Sequence, residues 1–220
     1  MAAGVTDLLL GAVLLGCAVR LRMSAGVHRY WPLAFGFAGI GAWAGVLHHL
    51  VFAGSARPSN LSWIAVGVSV AIAISYLLAG TATELLRPSL ARLFIRIRVG
   101  GLVAYVIVIA TVGIGRSGPL VASESVTMAS IVGLWLWALR AGHPRARAML
   151  VAIVTCAASS AALAVPASVL YVGLDGRSLQ HLAQIPGVLL LYRAIHAPWP
   201  ARPAAHPAPR ATAEPGSAPA

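Results

Sequence analysis

Several ionisable or hydroxyl-bearing side chains lie in or beside long apolar segments of the sequence. A charged side chain at the centre of a bilayer costs about 2.5–3.5 kcal/mol on insertion scales, so intramembrane ionisable residues are functional candidates by default. In this chain they gather near the ends of the apolar segments. The residues are Asp7, His48, His49, Glu124, Asp175, Arg177, Ser178 and His181.

Two of the histidines suggest a metal-binding site. A catalytic zinc ion normally has three protein ligands and a bound water whose pKa the metal lowers. His48 and His181 would supply two imidazole ligands. Asp7 or Glu124 would supply the third ligand or a catalytic base, and Ser178 is a further catalytic candidate. The chemistry would be the hydrolysis of a lipid or an amide.

The same side chains support two other interpretations. His48 and His181 would be the axial ligands of a b-type haem if they lie at similar depth on facing helices. Alternatively, the histidines and acids form a hydrogen-bonded network that holds the helices together in a protein without enzymatic activity, such as a sensor or an accessory protein. The sequence leaves the three interpretations open, and zinc is one candidate cofactor.

The composition is that of a membrane protein. Hydrophobic residues make up 59% of the chain and charged residues only 10%, and the mean hydropathy is +0.85. A soluble domain usually carries about 25% charged residues. A globule of 220 residues lacks the interior volume to bury this much apolar surface, so the lipid bilayer is the expected solvent.

The basic residues exclude two classes of function. All 16 are Arg, and they lie between apolar segments rather than on one face, so the net charge of +11 does not indicate nucleic-acid binding. The chain contains no Lys. A covalent retinal pigment is therefore excluded, because retinal is held as a Schiff base on a lysine amine.

Seven apolar segments are long enough to cross a hydrocarbon core about 30 Å thick. They are residues 4–19, 31–52, 61–85, 99–115, 120–139, 148–170 and 178–195. Within a bilayer the backbone polar groups must be satisfied internally, which at this length only helices achieve. The sequence thus predicts an all-α bundle of seven transmembrane helices.

The arginines predict the orientation of the bundle. Along the chain, the N-terminus, the six connections and the C-terminus hold 0, 3, 1, 4, 1, 3, 1 and 3 arginines. Arginine collects in cytoplasmic loops. The alternation therefore predicts an N-terminus outside and a C-terminus inside the cell.

This orientation places most of the polar candidates near the outer face. Glu84 is the exception, and we expect it to pair with Arg87 at the inner end. On the second helix, Gly41 and Gly45 share a face with His48, while His49 lies about 100° further round. Small residues let helices approach closely, so we expect His48 rather than His49 to face the bundle interior.

The remaining segments lie outside the predicted core. Residues 87–98 alternate Arg with apolar residues, which predicts that they lie in the cytoplasmic interface with their arginines at the headgroups. We expect residues 1–196 to form the transmembrane domain and the Pro/Ala-rich residues 197–220 to form a disordered cytoplasmic tail. The absence of Lys beside abundant Ala, Arg, Gly and Pro suggests a GC-rich bacterial genome, and so a bacterial cytoplasmic membrane.

Three short motifs carry a resemblance to known proteins. They are Thr6-Asp7-Leu8-Leu9, Leu47-His48-His49, and His181-Leu182-Ala183-Gln184 continuing to Leu191-Tyr192-Arg193. Together they resemble an uncharacterised family of bacterial seven-helix membrane proteins. The stretch from Leu179 to Pro186 is also similar to the last helix of the alkaline ceramidase/progestin-receptor superfamily, whose seven-helix members include many metal-dependent lipid amide hydrolases.

The superfamily resemblance implies a hydrolase site with departures. His48 would match the histidine of its Ser-xxx-His motif, but Ala44 stands at the serine position. His181 would match the last histidine of its His-xxx-His motif, but Arg177 stands at the first. The resemblance therefore implies an inherited fold with a degenerate metal site. We expect such a protein to bind a lipid-like ligand or to pack against a membrane partner.

Overall fold

A computed structural model describes residues 2–52, 56–112, 118–164 and 174–197 of the chain. Within these ranges the structure contains seven α-helices and no β-strand, which confirms the all-α prediction. The helices are α1 (Ala2–Met23), α2 (Tyr30–Leu47), α3 (Ala56–Leu85), α4 (Pro88–Val112), α5 (Gly118–Arg140), α6 (Ala146–Ala158) and α7 (Gly176–His196). A π-helical turn, His48–Phe52, extends α2, and a 3₁₀ turn, Ser159–Ala164, extends α6.

Five helical segments are long and apolar enough to cross a membrane, searched over the described residues alone. They are Ala2–Met23, Tyr30–Phe52, Asn60–Leu85, Ala122–Arg140 and Ala146–Ala164. Of the two other helices, α4 carries three arginines in its first half, and α7 carries His181 and Gln184. Crossings by α4 and α7 stay predictions.

Six of the helices form a closed ring. Contacts run in the order α1, α2, α3, α5, α6 and α7, and α7 packs back against α1. Helix α4 lies outside this ring, where it contacts α3 and, less extensively, α5. The ring brings the first and last helices of the chain side by side.

The bundle is apolar on its surface as well as inside. Its core contains large aromatic side chains such as Trp31 and Trp135, and the indole N–H of Trp135 donates to the Thr81 hydroxyl at 3.1 Å. Many large apolar side chains also face outward, among them Ile97, Val103 and Ile107 on α4. Soluble monomers rarely expose apolar surface on this scale, whereas a lipid-facing surface requires it.

Local signals explain two helix boundaries that matter below. Helix α5 ends in a Schellman motif, in which the His143 N–H donates to the Ala138 carbonyl at 2.9 Å and Gly142 adopts a φ of 76°. Helix α7 begins at Asp175, whose carboxylate accepts a hydrogen bond from the Ser178 backbone N–H at 2.8 Å. The predicted tail lies outside the described residues except for Ala197.

Candidate functional site

A polar cluster lies at the end of the bundle where α1, α3 and α7 begin and α2 ends. The start of α1 contributes Asp7, the π-helical turn contributes His49, and the first turns of α7 contribute His181. We call these three residues the Asp7 cluster. The sequence predicted that ionisable residues gather at this end, and the structure brings these three together.

The Asp7 carboxylate lies between the two imidazoles. Its Oδ1 atom is 3.1 Å from Nδ1 of His181, and its Oδ2 atom is 3.8 Å from Nε2 of His49. The Thr6 hydroxyl lies 3.4 Å from the same His181 nitrogen. Asp7 itself is only 5% exposed, and among the described residues no hydrogen-bond partner reaches Oδ2. The carboxylate is thus buried with one oxygen incompletely satisfied.

Gly45 makes room for this carboxylate. A Cβ atom added at Gly45 would lie 2.7 Å from Oδ2 of Asp7, closer than real Cβ contacts allow. Gly41, by contrast, packs on α3, where its Cβ would lie 3.3 Å from Cβ of Ser69. The two glycines that the sequence placed on one face therefore contact different neighbouring helices.

The same division of the α2 surface separates the contacts of the two adjacent histidines. Nδ1 of His48 lies 2.9 Å from the Ser62 hydroxyl on α3, and its ring centroid lies 5.0 Å from that of Trp63. His49 follows the Gly45 side of the helix towards α1 and reaches Asp7. Neighbouring residues lie about 100° apart on a helix, so His48 contacts α3 while His49 contacts α1. That His48 rather than His49 faces the bundle interior stays a prediction.

The metal prediction relied on His48 and His181 together. In the structure His181 joins the Asp7 cluster, while the contact of His48 is with Ser62. Among the described residues, no three His, Cys, Asp or Glu side chains are arranged to hold a metal ion. Zinc binding by His48 and His181 therefore stays a prediction without support from the geometry.

Ser178, a further catalytic candidate, takes part in capping α7. Its side chain is fully buried, and its hydroxyl donates to Oδ1 of Asp175 at 2.5 Å. The two hydrogen bonds from Ser178 lower the pKa of Asp175 below its ordinary value of 3.8. Both groups thus have a structural role at the helix start, and the neighbouring Arg177 is exposed.

Glu124 does not belong to the Asp7 cluster but forms an ion pair with Arg98, which the sequence did not predict. Its Oε1 atom is 2.6 Å from Nη2 of Arg98. The Arg98 guanidinium also donates to Ser75 and Ser123 at 2.7 Å and to the Ala71 carbonyl at 3.2 Å. A buried arginine with four partners on α3 and α5 is a structural link rather than part of an outward-facing pocket.

The burial of Arg98 corrects the interfacial interpretation of residues 87–98. Arg98 is 7% exposed and lies ten residues into α4, about 15 Å along the helix axis. Its guanidinium therefore contacts α3 and α5 instead of extending to headgroups near the start of α4. The alternation of arginines does not depend on Arg98. Without it, this connection still holds three arginines, and the connections before and after it hold one each.

A second ion pair also differs from the expected one. Glu84 at the end of α3 pairs with Arg145, whose Nη1 atom lies 3.2 Å from Oε1 of Glu84, and not with Arg87. Arg145 further donates to the Ala197 carbonyl at 2.8 Å. The pair thus links α3 to the connection between α5 and α6 and to the end of α7.

Comparison with known proteins agrees with the first part of the resemblance. A family of unknown function, DUF6962, matches residues 2–198, which include all the described helices. The chain belongs to DUF6962. No curated protein and no solved structure matches it. The prediction of an uncharacterised family is confirmed, and no ceramidase-type relationship is shown.

The Asp7 cluster of this DUF6962 member has the chemistry of a proton-binding site. A carboxylate between two imidazoles offers several places for a proton within hydrogen-bond reach of one another. The side chains of His49 and His181 are 16% and 18% exposed, so the imidazoles are accessible from the end of the bundle. The arrangement is suited to taking up and releasing protons.

Proposed function

We propose that this protein is a non-enzymatic membrane sensor in which the Asp7 cluster responds to protons. The observation that carries the proposal is the position of the Asp7 carboxylate between His49 and His181. Histidine is the side chain whose charge ordinarily changes between about pH 5 and pH 8. A buried carboxylate with histidine partners on two other helices would convert such a change into altered helix packing.

The charge balance of the cluster gives the direction of the response. With one imidazole protonated, the single carboxylate is balanced by a single positive charge. When both imidazoles are protonated, two positive charges face one carboxylate. The site is buried, since Asp7 is only 5% exposed. Uncompensated charge in a low-dielectric site is strongly unfavourable. Acidification should therefore separate the ends of α1, α2 and α7 and admit water.

The arginine alternation supports placing the Asp7 cluster on the outer side of a cell membrane. In this orientation α1 begins outside, α2 ends outside and α7 begins outside, so the cluster would face the external solution. The composition further supports a bacterial cytoplasmic membrane as the location. The sensed quantity would then be the pH on the external side.

The proposal is tested by measuring the distance between α2 and α7 as a function of pH. Spin labels are introduced at Leu47 and Arg177, which are both exposed near this end, after replacing Cys17 and Cys156 with Ala. Protein in lipid nanodiscs is then compared at about pH 8 and pH 5. We expect the distance distribution to broaden and lengthen at low pH, and Asp7→Asn to abolish the change.

The two adjacent histidines provide a matched pair of variants. His49→Gln should reduce the pH response because His49 contacts Asp7. His48→Gln should reduce it less, because His48 contacts Ser62 and meets the cluster only through the His49 ring, at 5.0 Å between centroids. A response that persists unchanged in both Asp7→Asn and His49→Gln would disprove the proposal. The same would follow from a wild-type protein whose distances do not depend on pH.

The zinc-dependent hydrolase and the haem protein remain alternatives from the sequence. The hydrolase alternative, with its ceramidase-type relationship and lipid-like substrate, requires a third metal ligand beside His48 and His181. The haem alternative requires those two histidines to face each other. Because His48 contacts Ser62 on α3, the structure gives neither arrangement the support that it gives the proton-responsive cluster.

A further inference from the structure

A cavity of about 620 Å³ lies at the opposite end of the bundle from the Asp7 cluster. It is partly open to solvent and is lined by the connection between α1 and α2, the ends of α3, α5 and α7, and the connection between α5 and α6. Its volume falls within the range of about 300–1,000 Å³ that is usual for small-molecule sites. Of the polar candidates that the sequence singled out, Glu84 lies in it.

Four polar side chains converge on this cavity from three parts of the chain. Glu84 and Arg145 form the ion pair described above, and the imidazoles of His28 and His143 also line the cavity. The Schellman motif at the end of α5 positions His143, because the left-handed Gly142 turns the chain immediately before it. Polar groups brought together by separate connections are typical of a binding site.

The charge around the cavity is predominantly positive. Glu84 is the one carboxylate among its described lining residues, and Arg145 balances it. Arg29, Arg140 and Arg147 are exposed and adjoin the two connections and the end of α5. Burial, followed by the positive charge of Arg29, lowers the pKa of His28 below 6.5, and burial and Arg145 do the same for His143. An anion would be attracted to this end.

The remaining walls are apolar and aromatic. Trp31 is 2% exposed and Trp137 is 53% exposed, and both line the cavity together with Val27, Leu85 and Ile195. The cavity is much larger than a bare inorganic anion requires. Its ligand should therefore combine an anionic group with an apolar or aliphatic body.

We propose that this cavity binds the phosphate group of an amphipathic phosphate ester. Phosphate presents three terminal oxygens to donors, which suits one guanidinium and two imidazoles better than a carboxylate with two oxygens. The apolar walls would contact the body of the ester. The site is separate from the Asp7 cluster, and the proposal does not depend on the sensor function.

Two sources of such a ligand are distinguished by two probes. Phenyl phosphate represents a soluble ester with an apolar body, and its binding to purified protein is measured by equilibrium dialysis of the radiolabelled compound. Phosphatidic acid represents a membrane source, and its binding is measured by native mass spectrometry after exchange from nanodiscs that also contain phosphatidylcholine. Saturable binding of either probe supports the proposal, and failure of both to bind above phosphatidylcholine or chloride overturns it.

Matched arginine variants locate the binding. Arg145→Gln should weaken binding about tenfold by removing a charge-assisted interaction with phosphate. Arg147→Gln is the control, because Arg147 is an exposed neighbour that does not line the cavity. If Arg145→Gln does not fold, His28→Gln replaces it, since His28 is exposed and its loss should weaken binding without unfolding. Equal binding by the control and by the cavity variants would overturn the assignment.

The histidines add a second, independent readout. A bound anion favours the protonated imidazole. Since the pKa values of His28 and His143 lie below 6.5, binding should become tighter as the pH falls below 6.5. Arg29, Glu84, Arg140 and Arg145 are the other charged groups facing or adjoining these imidazoles. A His28→Gln/His143→Gln variant should lose this pH dependence; if it binds phosphate with the wild-type pH profile, the proposed contacts are wrong.

Discussion

The Asp7 carboxylate on α1 lies 3.1 Å from Nδ1 of His181 on α7, joining the first and last helices of the bundle. Without α7 against α1, the six-helix ring would be open. The second carboxylate oxygen faces His49 at the end of α2. A single buried side chain thus connects three helices, which makes it a point where a change in protonation can alter the packing of the whole end.

Gly45→Ala tests the close packing around this carboxylate. The added Cβ would lie 2.7 Å from Oδ2 of Asp7, so we expect a loss of about 1–3 kcal/mol in the free energy of unfolding. Unfolding by SDS in mixed micelles measures the change. Gly16→Ala is the control, since nothing lies within 4 Å of its added Cβ, and it should be neutral or slightly stabilising. Equal effects of the two variants would contradict the described packing.

The buried ion pair between Arg98 and Glu124 can be tested by single and double replacements. Arg98→Gln or Glu124→Gln alone should reduce the free energy of unfolding by about 3–5 kcal/mol, because each leaves a buried charge unpaired. Replacing both residues with Met should cost less than either single change. Arg96→Gln serves as the control because Arg96 is exposed on the same helix. If Arg98→Gln is as mild as Arg96→Gln, Arg98 does not make the buried contacts described.

Removal of the helix cap should destabilise α7. Asp175→Ala should cost about 1 kcal/mol by removing the acceptor of two Ser178 hydrogen bonds, whereas Asp175→Asn should preserve most of the cap. Hydrogen exchange of the first turns of α7 locates the effect. Equal exchange in the Ala and Asn variants would argue against capping.

The same cap predicts a dependence on pH. Because the folded-state pKa of Asp175 is lowered from 3.8, the unfolded chain binds its proton at higher pH than the folded chain does. The contribution of Asp175 is therefore complete above about pH 4 and is lost as the pH falls through the folded-state pKa. In Asp175→Asn, the free energy of unfolding measured from neutral to acid pH should lack the Asp175 contribution. A pH dependence equal to that of the wild type would contradict this prediction.

The sequence predicted the features that follow from long-range averages. Hydrophobic length defined the helices, and the alternation of arginines placed Asp7, His49 and His181 at one end of the bundle. Both signals are sums over many residues, so the misassignment of one residue, such as Arg98, does not change them. The cluster could therefore be anticipated as a group.

The individual contacts required information that the sequence pattern does not contain. His48 and His49 differ by about 100° on one helix, and only the positions of α1 and α3 decide which of them meets Asp7. Arg98 is buried because α4 packs outside the ring, with this side chain directed towards α3 and α5. The cavity is formed by connections and helix ends, whose relative positions no helical periodicity specifies.

The most direct measurement is a pH-difference infrared spectrum of the protein in lipid nanodiscs, taken between about pH 8 and pH 5. The wild-type spectrum should contain carboxyl and imidazole bands from protonation of the Asp7 cluster. Asp7→Asn should remove or shift these bands, while His48→Gln, which removes only a ring packed against His49, should change them less. If the Asp7→Asn and wild-type spectra are identical, Asp7 and its histidines do not form a proton-binding site.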